Sequence, residues 1–272
     1  MKKRNLLIAL VVTTAMISFS ACKKLKNNVG ADATTAKISG QSATSDNLTE
    51  DANDIFAQTA NDSTQLGAAR PAPYYSFSSI SITPGAYPKT VTIDFGTGTT
   101  SLNGVVRSGI IKVILSDSFK LAGTTDSLYF VNYAVNGYHK TGSIVWLNQT
   151  SGDTLQWQRT DSGTVTAPDN VTFWHHSGIR HVLQTAGFGG PLYDNTYAIS
   201  GSHTFVNSDN VSFNTYTIFP LEKKADCFWI DKGQIRINGP QHYAIIDFGD
   251  GTTCDANATY SLDGGTSFPF IF

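Results

Sequence analysis

From Tyr74 onward the chain alternates apolar and polar residues in short runs. Residues 90–95, 110–115, 128–135, 143–148, 154–159, 164–166, 171–175, 197–206, 211–219, 228–237 and 243–248 are rich in β-branched and aromatic side chains. Turn residues punctuate them: Asn136-Gly137, Ser151-Gly152-Asp153, Asp161-Ser162-Gly163, Ser208-Asp209-Asn210 and Asn238-Gly239-Pro240. Strands joined by short turns make hairpins, and hairpins in series make an antiparallel meander. No helical pattern alternates with these runs, which excludes βαβ units. The expected fold is therefore all-β. In residues 154–159, Leu155 and Trp157 share one face while Gln156 and Gln158 share the other, as in a half-wet strand. In residues 143–148 both faces are apolar, Val145 and Leu147 on one and Ile144 and Trp146 on the other. This mixture suits a large curved sheet, a partly closed barrel or a sandwich. Residues 183–194, with Gly187, Gly189, Gly190 and Pro191, form the longest break and the candidate lid or crossover.

The first 72 residues read differently. Lys2, Lys3 and Arg4 precede an apolar stretch over residues 6–17, too short to span a bilayer and of the form of a secretory signal. Residues 23–72 are rich in Ala, Thr, Asn, Asp and Ser, with Phe56 as their single aromatic residue. Such a composition reads as a flexible tether. One island, capped by Ser45 or Asn47 and carrying Leu48, Ala52, Ile55, Phe56 and Thr59 at 3–4 spacing, predicts a short helix. That helix is marginal alone and needs to dock through Ile55 and Phe56. The expected organisation is a signal over 1–21, a tether over 22–72 and one all-β body over 73–272.

Composition sharpens this picture. Charged residues make up only 15% of the chain and the net charge is −2, against roughly 25% charged in an average domain. Long salt-bridged helices and a basic nucleic-acid face are both disfavoured. Removing the three cations of the signal shifts the net charge to −5. The segment Phe19-Ser20-Ala21-Cys22 resembles a bacterial lipobox. The resemblance implies that Cys22 is lipidated and becomes the first residue, anchoring the chain to a membrane without crossing it. Lys23 follows where an Asp would signal inner-membrane retention, which implies the outer membrane. Lys23, Lys24 and Lys26 differ from an acidic surface-export signal, which favours the periplasmic side over the cell surface.

Cys227 and Cys254 remain once Cys22 is lipidated, and an even pair in an oxidising compartment predicts a disulfide, with two free buried thiols as the alternative. A turn at residues 238–240 that sets Ile237 opposite Gln241 places Cys227 opposite Gly251, three positions short of Cys254. The same register sets Asp231 near Asp247, with Asp250 and Asp255 close by. Ca²⁺ is the candidate ion for such a cluster, although the spacing is not that of an EF-hand; no other cofactor is expected. Trp174-His175-His176 with Arg180-His181 invites a zinc reading, but adjacent strand residues point to opposite faces and cannot chelate together. Trp146, Trp157, Trp174 and Trp229 are candidates for stacking on sugar rings, with core packing as the ordinary alternative. No nucleophile elbow, phosphate loop or paired-carboxylate signature is present, and no catalytic residue is assigned.

The sequence also contains an internal echo. Ile93-Asp94-Phe95-Gly96-Thr97-Gly98-Thr99-Thr100 recurs as Ile246-Asp247-Phe248-Gly249-Asp250-Gly251-Thr252-Thr253. Together with Arg107-Ser108-Gly109-Ile110-Ile111 and Cys227-Phe228-Trp229-Ile230, these segments resemble motifs of an uncharacterised lipoprotein family of the Bacteroidota, over most of residues 89–263. Thr99 stands where many members carry Cys, and an extra Thr253 precedes Cys254. At turn level, residues 247–252 also resemble PKD-type modules, though only about 20 residues follow them. The family resemblance implies an envelope location and a β architecture, not an activity. The expected role is a non-enzymatic structural or binding lipoprotein, with an envelope protein or glycan as partner. The alternative is a carbohydrate-binding or carbohydrate-processing accessory.

Overall fold

A computed structural model describes residues 33–61, 76–101, 104–190 and 194–271. One helix, α1 (Ala33–Asn61), precedes fourteen strands. They are β1 (Ser79–Ile82), β2 (Lys89–Asp94), β3 (Thr99–Thr100), β4 (Val106–Leu115), β5 (Thr125–Val135), β6 (Tyr138–Asn148) and β7 (Gln156–Thr166). After these come β8 (Phe173–Ala186), β9 (Thr196–Asn207), β10 (Ser212–Lys224), β11 (Lys232–Asn238), β12 (Tyr243–Asp250), β13 (Asn257–Leu262) and β14 (Ser267–Ile271). All belong to one antiparallel sheet in sequence order, with β3 paired to β4 off the main path. β1 and β14 are its edges, so the sheet is not closed by hydrogen bonds. The all-β meander expected from the alternation is present.

The alternation works because the strands bury one face, and β4 to β10 turn that face toward α1. In β6 that face carries Lys140, Ile144, Trp146 and Asn148; in β7, Trp157, Arg159, Asp161 and Val165; in β8, Trp174, His176, Arg180 and Val182. Apolar residues of β2, β4, β11 and β12 complete the core, including Val91, Ile93, Ile111, Val113, Ile235, Ile237 and Ile246. Glycines bend the sheet. Gly142 and Gly163 face each other across β6 and β7, and a Cβ on either would lie 2.1 Å from a carbonyl oxygen of the facing strand. The two backbones approach more closely there than any side chain permits.

Three expectations need correction. Asp161-Ser162-Gly163 is not a turn but the middle of β7, paired with Ile144, Ser143 and Gly142. Long flanking strands on both sides override its turn propensity. The break over 183–194 is shorter, since β8 runs to Ala186, and it joins two neighbouring strands; it is not a crossover. Most consequentially, residues 33–61 are not part of a flexible tether. They form a 29-residue helix that is buried on nearly all sides from Gln41 to Ala60.

Local propensity does not account for α1. It has no acidic residue in its first turn, no basic residue in its last, and polar side chains all round, a pattern that leaves an isolated helix unstable. The sheet stabilises it. Ile38, Leu48, Ile55 and Phe56 are buried, and Phe56 packs edge-on against Phe119 and beside Trp146. The docking through Ile55 and Phe56 that the short-helix reading required is therefore present. Gly40 lies in the helix interior, and a Cβ added there would meet no neighbouring atom within 4 Å. Gly40→Ala is expected to raise stability by about 0.5–1 kcal/mol. Thermal denaturation reads this gain, and a loss would mean that Gly40 is not helical in the native protein.

Candidate functional site

The polar side chains of α1 meet a matching set on the inner face of the sheet. Asp46, Glu50 and Asp54 are spaced four apart and lie along one side of the helix; Asp51 sits beside them. Each carboxylate meets a cation from a different strand. Arg107 of β4 grips Asp51 with two hydrogen bonds, Nε to Oδ2 at 3.0 Å and Nη2 to Oδ1 at 2.5 Å. The Tyr133 hydroxyl donates to the same carboxylate at 3.2 Å. Arg159 of β7 binds Glu50 through both terminal nitrogens, with Nη1 to Oε2 at 2.9 Å. Arg180 of β8 donates to Asp46 at 2.7 Å, and Lys223 of β10 pairs with Asp54. Other hydrogen bonds fill the gaps: Lys140 donates to Thr49 at 2.9 Å, Trp146 to Asn53 at 3.2 Å and Asn207 to Gln41 at 3.1 Å. Bidentate arginine forks satisfy both carboxylate oxygens, which a buried ion pair needs to offset its desolvation.

A second cluster lies beside this ladder. Asp161 accepts from His176 Nδ1 at 2.9 Å, and His203 Nε2 lies 2.8 Å from its other oxygen, off the hydrogen-bond direction. His203 Nδ1 is 3.5 Å from Asp46, which links the cluster to the ladder. Lys140 Nζ lies 3.1 Å from His176 Nε2. An ammonium has only donors, so Nε2 accepts and Nδ1 carries the proton given to Asp161. His176 is therefore a neutral imidazole. Burial and the neighbouring Lys140 charge push its pKa down to about 4. Burial likewise lowers Lys140 to about 8. Burial works to raise Asp161, but His203 and His176 prevail and hold its carboxyl well below the usual range. At Asp54 burial outweighs the Lys223 ammonium and pushes the carboxyl up to about 7.

These shifts set opposite pH dependences. The unfolded His176 binds its proton near pH 6.5 and the folded one only near 4. The unfolded state thus binds more protons between those values, and stability falls as pH falls through that window. Asp54 takes up its proton earlier in the folded state and opposes the fall over part of the same range. The His176 contribution is isolated by difference. Between pH 6.5 and 4 the stability of His176→Gln is expected to decline less steeply than that of the wild type in urea titrations. Equal slopes would place the imidazole outside this network.

The cluster has the residue types of an acid–base site, and its side chains are buried, although His176 also borders a depression on the outer face. The void bordered by Glu50, Asp54, Trp146, Trp157, Tyr197 and Lys223 measures about 10 Å³, room for one water. The larger concavity is on the outer face. It has a volume of about 370 Å³, a floor at Gly142 and Gly163, and a rim of hydroxyls from Thr141, Ser162, Thr164, Ser177 and Thr204. His175 joins this rim, 2.7 Å from the Thr164 hydroxyl, with the Phe173 ring beside it.

The residues singled out from sequence separate accordingly. Cys22 lies outside the described residues. Cys227 and Cys254 form a disulfide, with Cα atoms 5.7 Å apart. The hairpin register differs from the expected one: Ile237 faces Ala244 and the loop spans residues 239–242. That three-position shift brings Cys227 level with the Cys254 end of β12. The four aspartates do not converge. Asp231 pairs with Lys224 at 3.1 Å and Asp247 accepts from Gln234 at 2.7 Å. Asp250 and Asp255 cap their own turns through the amides of Thr252 and Asn257. No group of three or more metal-binding side chains occurs among the described residues. The two copies of the echo share one local geometry, since Gly96 N donates to Asp94 Oδ1 at 2.7 Å and Gly249 N to Asp247 Oδ1 at 2.9 Å. Trp146, Trp157 and Trp174 are buried and Trp229 packs on the core edge against Phe228. The first three are thus core residues, not a stacking surface. His175 and His176 face opposite sides, as strand geometry requires.

The acids of α1 and their cations escaped the sequence reading. The available signal was parity: Arg159 shares a face with Trp157, Lys140 with Ile144 and Arg180 with Val182, so these cations had to point inward. No family model matches the chain, and neither a curated protein nor a solved structure is found similar to it.

Proposed function

We propose that this chain is a lipid-anchored protein of the bacterial cell envelope with a structural or binding role, held at the outer membrane through Cys22 and facing the periplasm. The lipobox-like segment and the resemblance to Bacteroidota lipoproteins support the anchor. The observation that supports the non-catalytic part is the filled interior: the sheet wraps its own helix, and the buried acid–base groups are engaged with one another. With α1 docked from Ala33, only residues 23–32 separate the anchor from the body. That is a reach of at most about 35 Å, so the body acts close to the membrane surface.

A carbohydrate-binding accessory is the second reading, now favoured by a different feature than tryptophan. The outer depression is lined by hydroxyls, with His175 and Phe173 at its edge. Three experiments test these readings. Cys22→Ala should release the protein from the membrane fraction, and protease shaving of intact and permeabilised cells should show protection only while the outer membrane is sealed. Continued membrane association of the variant would sink the anchor. A glycan array probed with residues 23–272 should be silent under the leading reading; binding abolished by Ser162→Trp at the depression would establish the second.

A further inference from the structure

Of the four cations that pair with the acids of α1, three are arginines and Lys223 carries the one amine. A guanidinium keeps its proton, whereas an amine that has lost one is a nucleophile. The Lys223 side chain is 1% exposed and that of Asp54 is 4% exposed. Lys223 Nζ donates to Asp54 Oδ2, to the Cys227 carbonyl and, at 2.9 Å, to the Lys224 carbonyl. These three acceptors fix the nitrogen against the carboxyl group, whose carbon is one bond from the contacted oxygen. Trp146, Trp157, Val182 and Tyr197 line the void of about 10 Å³ that Lys223 and Asp54 border. Burial pushes the Asp54 carboxyl up to about 7 against the Lys223 ammonium, and the charges of Glu50 and Asp51 add to the rise. A neutral acid held against an amine in a dry, aromatic cage is the reactant pair of an amide condensation.

We propose that the Lys223 side chain condenses with that of Asp54 into an intramolecular isopeptide bond, which makes the junction between α1 and β10 covalent. A proton first passes from the ammonium to the carboxylate. The Nζ lone pair then attacks Cγ, and the C–N bond forms as the carbonyl π pair moves onto oxygen. That pair returns as the C–OH bond breaks, and the leaving hydroxyl takes a second proton from nitrogen. One ammonium and one carboxylate thus give one amide and one water, with no oxidant or other reactant. Fixed contact between the two groups replaces a bimolecular encounter, an advantage that reaches about 10⁵–10⁸ M in effective concentration. The void has room for the water released, and the amide nitrogen keeps one proton for a carbonyl it already faces. Condensation also removes two buried charges, whose desolvation an ion pair offsets only in part. In the condensed protein Asp54 no longer titrates, so its opposition to the acid-induced fall in stability disappears.

The test is peptide mapping of the folded, full-length wild type after reduction and trypsin digestion. A branched peptide should join the segment containing Asp54 to the one containing Lys223. It should be lighter than the two together by one water, with no cleavage after Lys223, and fragmentation should place the branch at these two side chains. Asp54→Ala and Lys223→Arg should give linear peptides only. Lys223→Arg keeps a cation beside Asp54, so it separates the bond from the ion pair. The wild type decides the matter even if neither variant folds. Linear peptides alone from the folded wild type would overturn the proposal. So would a water loss that maps to Asp250-Gly251 or Asp263-Gly264, where an aspartate can close on the following amide.

Discussion

Replacing Arg107 with Ala is expected to destabilise the protein by about 3–5 kcal/mol, read as a lower urea midpoint at unchanged slope. Arg107 and Asp51 are both fully buried, and the guanidinium also donates to Ser101 at 2.7 Å and stacks over Phe228 at 5.7 Å. Truncation leaves the Asp51 carboxylate in the core with the Tyr133 hydroxyl as a remaining donor. Most of the loss is the desolvation of that stranded charge, not the attraction forgone. The double variant Arg107→Met with Asp51→Leu removes both charges and should recover most of the stability. If the double variant is as unstable as the single one, packing around the guanidinium matters more than its charge. A loss below about 1 kcal/mol for Arg107→Ala would mean that water reaches Asp51.

The second large effect is expected at the disulfide. Cys227→Ser with Cys254→Ser opens a crosslink spanning 27 positions, worth about 3.5 kcal/mol in the chain-entropy model. The crosslink ties the segment between β10 and β11 to the end of β12. That segment is tied to α1 through Lys223: Ile230 and Phe228 are buried in it, and the Cys227 carbonyl accepts from Lys223, the cation of Asp54. Removal should therefore do more than lower the unfolding midpoint. Amide exchange should accelerate first in the last turns of α1 and in residues 225–231, ahead of β6–β8. Uniform acceleration across the sheet would show that the crosslink acts on the unfolded chain alone.

Much of the sheet was legible because period-2 alternation is a local signal. A strand such as residues 110–115 has the same inward and outward faces whatever its neighbours are. Register was less legible. The hairpin between β11 and β12 turned on how many residues its loop held, and the three-position error left Cys227 facing the wrong partner. Turn chemistry misled at Asp161-Ser162-Gly163, where each residue favours a turn in isolation. Two long flanking strands supplied ladder partners and drew the segment into β7. The candidate aspartates are spread apart for a similar reason: Asp beside Gly is first a turn-capping residue, and Asp250 and Asp255 are used in that way.

Local signals alone predicted an antiparallel all-β body, a Cys227–Cys254 crosslink with two free thiols as its alternative, and His175 and His176 parting to opposite faces. Each rests on alternation, on cysteine count or on strand geometry, which need no distant partner. The fate of residues 33–61 depended on long-range packing. Their composition cannot bury enough apolar surface to fold alone, and read alone they are a tether. They fold because cations on strands 56 to 169 residues away in sequence need carboxylates in the core. A charge removed from water has to find its counter-charge wherever the chain provides it.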